Sequence, residues 1–260
     1  MPLTSILVHL DSTSNMTSRL SLAVGYAAKH GARLIGLYTA FGKTHDSEER
    51  AAALFLDETA RAGIRAEWLG ADTESADADV VHIVNYYARA TDMVIAGQPP
   101  AGKTSRALRD LPERLVLSCG RPVLIVPSAG SFTSCGDKVM VAWNNGRESA
   151  RALHDAIPIL EKARRVHLLR VLMASDSGTP SGVPSSIATF LAGHGIKVRP
   201  EEILAPNFPL GDLLHNHACE EGADLLVMGA YGISLTGRPV IGKAAKHILK
   251  HMTLPVLMSH

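Results

Sequence analysis

Residues 223–249 read ADLLVMGAYGISLTGRPVIGKAAKHIL. An apolar run, DLLVMG, enters a loop with glycines at Gly229, Gly232, Gly237 and Gly242, and a helical pattern begins at Lys243. A second apolar run, in TLPVLMSH, closes the segment. Short continuous apolar runs separated by helical patterns belong to strands covered on both faces, as in parallel sheets. The same order occurs earlier in the chain. ATDMVIAG ends at Gly97, 132 residues before Gly229 (229 − 97). GRPVLIVPS around Pro122 precedes TLPVLMSH around Pro255 by 133 (255 − 122). SILVHLDSTSNMTSRL, from Ser5, matches KVMVAWNNGRESARAL, from Lys138, and aligns Asp11 with Asn144, again 133 apart (144 − 11). Three anchors within one residue of a constant offset mark an internal repeat.

The joint, PSAGSFTSCGDK from Pro127 to Lys138, is rich in Ser, Gly and Pro and has no apolar period. It reads as a linker. The expected organisation is a first domain over 1–128, a linker over 129–137 and a second domain over 138–260. Strands are expected at Ile6–Leu10, Arg33–Thr39, Arg65–Leu69, Asp92–Ala96 and Val123–Val126. In the second half they fall at Val139–Trp143, Val166–Val171, Lys197–Ile203, Leu225–Met228 and Val256–Met258. Helical patterns lie between them, so the fold class is α/β: two tandem doubly wound parallel five-stranded sheets with helices on both faces. Ligands of such sheets bind beyond the carboxyl ends of the strands, where strand order reverses.

Composition narrows the function. The 260 residues are 46% hydrophobic, enough for two cores, and the net charge of +1 gives no basic field for nucleic acid. No apolar run reaches the roughly 18 residues of a membrane span. Cys119, Cys135 and Cys219 lack metal spacing and read as small apolar residues of a reducing, cytoplasmic protein.

The glycines carry the chemistry. Gly229 and Gly232 let the backbone turn tightly past a strand, and Gly242 opens a helix whose free N–H groups favour an anion. Lys243 adds a point charge. Two stretches approach the G-x-x-x-x-G-K-[ST] pattern. GRPVIGKA, Gly237 to Ala244, has Ala244 in place of the hydroxyl that would hold Mg²⁺. GQPPAGKT, Gly97 to Thr104, fits fully, with Lys103 and Thr104 as candidate phosphate contacts. It follows the fourth strand of its half rather than the first, and no apolar strand in the chain ahead of it ends in the Asp an NTPase would need, so NTPase architecture is not expected.

With the repeat, the DLLVMG strand, the G-x2-G-x9-G spacing and the closing PVL strands, the chain resembles the universal stress proteins in tandem form. The resemblance covers nearly the whole chain. It implies the adenine-nucleotide alpha hydrolase-like fold in each half, pairing of the halves through their last strands as an intrachain pseudo-dimer, and room for a further homodimer. It also implies an adenine nucleotide, ATP with or without Mg²⁺, as ligand. The family's residue at the end of the first strand matches Asp11 and Asn144, and the adenine contact matches Val171. The phosphate motif matches Gly229, Gly232 and Gly242, with Lys243 and Ala244 where that helix begins. Lys243 stands where the family has Ser or Thr. In the first half Pro100 occupies the place of Gly232, and Pro99 and Pro100 remove backbone donors. The second half is therefore the stronger nucleotide site, and Asp11, Lys103 and Thr104 form a weaker first-domain set. The expected function is a cytoplasmic stress-response protein that binds ATP without catalysis, or at most as a weak ATPase. The alternative is an interaction module with degenerate sites, engaging an unknown protein partner.

Other residues read more plainly. His215 and His217 are two apart and point to different sides of a helix, so they do not share an ion, and no metal site is expected. His247 and His251, four apart, suit a helix C-terminus. Asp212, Glu220 and Glu221 read as a solvated face, Trp68 and Trp143 as packing, and Asp46–Gly63 as a helix laid on its sheet. Ser175–Ser186 sits where a lid could lie.

Overall fold

Each apolar run becomes a strand. The computed structural model describes residues 2–39, 45–71, 79–99, 106–172, 184–205, 208–233 and 239–260. They form two units, Pro2–Cys135 and Gly136–His260.

In the first unit the strands are β1 (Ser5–Leu10), β2 (Arg33–Thr39), β3 (Ala66–Ala71), β4 (Met93–Gly97) and β5 (Val123–Val126). All are parallel, in the order β3-β2-β1-β4-β5. The chain runs outward from β1 to β3, then crosses back to β4, so strand order reverses between β1 and β4. The helices are α1 (Met16–His30), α2 (His45–Arg61), α3 (Val80–Ala88) and α4 (Arg106–Ser118). Helices α1 and α2 pack together, as do α3 and α4, as right-handed crossovers in opposite directions require. Helix α1 ends at Gly31, whose φ of 65° is the left-handed conformation glycine adopts without a Cβ penalty.

The second unit repeats the scheme. Its strands are β6 (Lys138–Trp143), β7 (Arg165–Leu172), β8 (Val198–Leu204), β9 (Leu225–Gly229), a short pair β10 (Tyr231–Ile233) and β11 (Pro239–Ile241), and β12 (Val256–Ser259). The parallel order is β12-β9-β6-β7-β8, reversing between β6 and β9. Its helices are α5 (Arg147–Leu160), α6 (Ser185–Gly193), α7 (Leu210–Glu220) and α8 (Lys243–His251). Expected strand ends differ from these by a residue or two, as fraying termini do.

The repeat extends to a staple outside the glycine loops. Asp92, just before β4, accepts the N–H groups of Thr4 and Ser5 at 2.7 and 3.0 Å where β1 begins. Asp224, 132 residues on (224 − 92) and just before β9, accepts those of Gly136, Asp137 and Lys138 at 3.0–3.1 Å where β6 begins. Each carboxylate satisfies backbone donors that the sheet leaves open.

The joint is seated on the first unit. Phe132 N–H donates to Ser18 Oγ at 3.1 Å, and the Thr133 carbonyl lies over Gly25 of α1, where a Cβ would not fit. The glycine-rich segment after β9 also differs from the expected open loop. Gly232 lies in a hairpin, paired antiparallel with Val240. The stretch read as a lid, Ser175–Ser186, falls outside the described residues except for its last three positions, which lead into and begin α6.

Candidate functional site

A cavity of about 630 Å³ opens at the carboxyl ends of β6, β7 and β9 in the second unit. That size falls within the roughly 300–1,000 Å³ of small-molecule sites. It occupies the switch point between β6 and β9, because helices leaving adjacent strands in opposite directions leave a crevice there.

Six of the seven second-half candidates line it: Asn144 after β6, Val171 on β7, Gly229 at the end of β9, and Gly242, Lys243 and Ala244 where α8 begins. Gly232 lies in the hairpin, paired with Val240. Asn144 is exposed, and its Oδ1 accepts Gly146 N–H at 2.9 Å, closing a turn in which Asn145 adopts a φ of 60°. The donor left to reach a ligand hydroxyl is therefore Asn144 Nδ2. Gly229 passes close to α5: a Cβ there would stand 2.6 Å from the Glu148 carbonyl carbon. Gly242 is the N-cap of α8, in extended conformation with no side-chain cap. Its own N–H donates to Ala230 O at 3.3 Å, which pulls the hairpin back over β9. The next N–H groups, of Lys243, Ala244 and Ala245, open the helix toward the cavity without intrahelical acceptors.

The sequence did not single out Glu148, Phe208 or His247 as lining residues. Glu148 is the second residue of α5, its side chain only 13% exposed, beside the Arg147 Nε at 2.6 Å. His247 Nε2 stands 2.9 Å from Asp212 Oδ1, so Asp212 is engaged between α7 and α8 rather than on a free face. Gly211 makes that packing possible, since a Cβ there would meet His247 Cβ at 2.7 Å. Trp143, read as packing, is buried and also lines the cavity.

Among the described residues, the corresponding place in the first unit is occupied by Arg19. Asp11 ends β1 and is 3% exposed; Arg19 of α1 is 2% exposed and donates to Asp11 Oδ1 at 2.9 Å. Thr13 N–H donates to the same oxygen at 2.9 Å, and Thr13 Oγ1 also donates to it. The guanidinium lies over Gly97 at the end of β4, where any Cβ would collide with it. Burial pushes the Asp11 carboxyl up, but the Arg19 charge, His9 and the Thr13 donors together hold it well below the usual carboxylate range. Burial lowers His9 to about 4, with Asp11 opposing and Arg19 reinforcing the shift. Asp11 thus faces its own arginine. The Gln98 N–H donates to Val126 O at 2.7 Å, so the second residue of the GQPPAGKT stretch continues the sheet ladder rather than cradling an anion. Lys103 and Thr104 lie outside the described residues.

Cys119 and Cys135 are buried as expected, and burial pushes the Cys119 thiol up. Cys219 is exposed instead, because its position on α7 faces His215 and Thr253 at the surface.

The architecture defines a doubly wound α/β protein with a switch-point cavity in one of two similar units. Residues 209–260 match the Universal stress protein family. A universal stress protein from Archaeoglobus fulgidus DSM 4304 superposes over 98% of this chain and 97% of its own, with 18% identity and a TM-score of 0.72. A functionally unknown protein from Pseudomonas aeruginosa PAO1 covers 99% of this chain and 92% of its own, at 18% identity and a TM-score of 0.65. A candidate universal stress protein from Pseudomonas aeruginosa UCBPP-PA14 covers 99% and 93%, at 19% and 0.68. No curated protein matches the sequence. The likeness to the family is thus direct in sequence over residues 209–260, and the chain as a whole shares the tandem fold of the full-length structures it matches. Among the described residues no helix is long and apolar enough to cross a membrane.

Proposed function

We propose that the second unit binds an adenine nucleotide, and that the protein acts as a nucleotide-responsive stress protein rather than as an enzyme. The observation that carries this reading is the cavity itself, which joins an apolar wall to an anion-favouring helix start. Leu169, Val171 and Met228 form a surface suited to a purine, and Lys243 with the first N–H groups of α8 suits phosphate. Asn144, which shares this lining, has Nδ2 as a donor suited to a ribose hydroxyl.

A second reading, an interaction module without nucleotide, is favoured by one specific observation. Glu148 brings a carboxylate to the same cavity, where it repels a polyphosphate. Titration of the full chain with ATP, with and without Mg²⁺, separates the two. The nucleotide reading expects saturable 1:1 binding, abolished by Gly242→Asp, which sets a carboxylate at the helix start. A chain that ignores ATP at millimolar concentration supports the module instead.

A further inference from the structure

Four side chains of the second unit converge away from the cavity. His167 on β7, Glu201 on β8, His217 on α7 and Glu221 just past α7 each offer one ligand atom, and these atoms all lie within 4.8 Å of one another. His167 stands opposite Arg199 in the β7–β8 register, and Glu201 follows two residues on, so both project from the same face. His217 and Glu221 are four apart, which stacks them on one side of the helix end.

The contacts within the group are not those of a settled hydrogen-bond network. His167 has a side chain 5% exposed, and neither of its ring nitrogens has a hydrogen-bond partner. Its Nε2 approaches Glu201 Oε2 to 2.6 Å, yet in a geometry that makes no hydrogen bond. His217 Nε2 stands 3.5 Å from that same oxygen and is likewise unpartnered. Glu221 Oε2 lies 3.9 Å from His167 Nδ1. Buried polar atoms normally find partners, and His167 Nε2, His217 Nε2 and Glu201 Oε2, all without a hydrogen-bond partner and gathered in one place, call for a ligand there.

We infer that His167, Glu201, His217 and Glu221 form a binding site for a zinc-class divalent cation. Two imidazoles and two carboxylates are a donor set for Zn²⁺ or Co²⁺; Mg²⁺ and Ca²⁺ take oxygen ligands. Bonds near 2.0–2.2 Å would draw the four atoms together by a modest inward shift. Arg199, 61% exposed, lies 3.2 Å from Glu221 Oε2 and 3.7 Å from Glu201 Oε2. It is the competing charge that a cation must displace, and its exposure leaves it free to swing out. The ion would clamp β7, β8 and α7 together, so its binding adds to the stability of the second unit.

The test is competition between the chelator-stripped full chain and a chromophoric chelator for Zn²⁺, with Co²⁺ spectra reporting coordination. One ion per chain is expected, weakened on the order of 100-fold or more in Glu201→Gln and His217→Asn. Arg199→Ala should tighten it, while His215→Ala and His247→Ala should leave it unchanged. Circular dichroism of each variant without metal checks folding, and His217→Asn, at the less buried ring, serves if Glu201→Gln does not fold. Absence of binding by the wild type overturns the inference. So does binding that survives both ligand variants, or binding lost with His215 or His247.

Discussion

The two units differ most where they are most nearly aligned. In the first, Arg19 reaches from α1 across the ends of β1 and β4 and occupies the switch point. In the second, the residue 133 further on is Ala152, buried and too short to reach, and the crevice stays open as a cavity. One long cation closes a site that a methyl group leaves open. Asp11 keeps the acidic residue that would suit a ribose, but keeps it for Arg19. Asn144 gave up the charge and keeps a free donor.

Each unit holds one tryptophan, Trp68 in the first and Trp143 in the second, so fluorescence can follow them separately in Trp143→Phe and Trp68→Phe backgrounds. The sharpest way to break the comparison is Arg19→Met. Removing one partner of a buried ion pair strands the other, and the first unit should lose roughly 3–5 kcal/mol in urea unfolding followed by Trp68. Adding Asp11→Asn should recover most of it. A loss below about 1 kcal/mol would mean the pair does not organise this end of the sheet.

His9 gives a pH test of the same region. Its folded value of about 4 lies below its ordinary 6.5, so between those values the unfolded chain takes up a proton that the folded unit refuses. Stability present at neutral pH should fall as pH drops from 6.5 to 4, by roughly 3 kcal/mol at full extent. Asp11 works in the same direction only at lower pH, its contribution being lost below the ordinary carboxylate range. The difference between wild type and His9→Gln in unfolding titrations isolates the first effect, and identical pH profiles would refute it.

Gly229→Ala probes the second unit's crowded edge. Its Cβ would meet α5 backbone at 2.6 Å, and overpacking of this kind costs about 1–3 kcal/mol in unfolding followed by Trp143. The smallest expected effect is Lys243→Ala. An exposed ion pair contributes about 0.2–1 kcal/mol, so ATP affinity should weaken by up to about fivefold, and less in high salt.

Much of the fold was legible in the sequence because it is periodic. Strand runs, helical patterns and the constant offset are local or self-comparing signals, and they put the strands within a residue or two of their places. The glycines after β9 gave a cruder picture: Gly242 sits at the helix start, whereas Gly232 pairs in a hairpin, because a glycine-rich stretch does not reveal which of its residues will find strand partners. Glu148 and His247 were invisible as cavity residues, since their facing depends on how α5 and α8 cross the sheet. No motif marks Arg19 in the sequence; its burial beside Asp11 follows from how α1 crosses the ends of β1 and β4. The His167 cluster spans three elements. Its one local signal was the spacing of His217 and Glu221, which attention to His215 obscured.

Arg19 makes the first unit its own ligand. A group held by the chain is always present, so at a given pH this contribution to that unit's stability does not vary with ligand concentration. A unit with an open cavity gains stability with the logarithm of ligand concentration. If the second cavity takes a nucleotide, one unit serves as a fixed reference and the other as a gauge. The gap between their unfolding midpoints, read from two tryptophans, would then measure nucleotide concentration largely free of effects common to both.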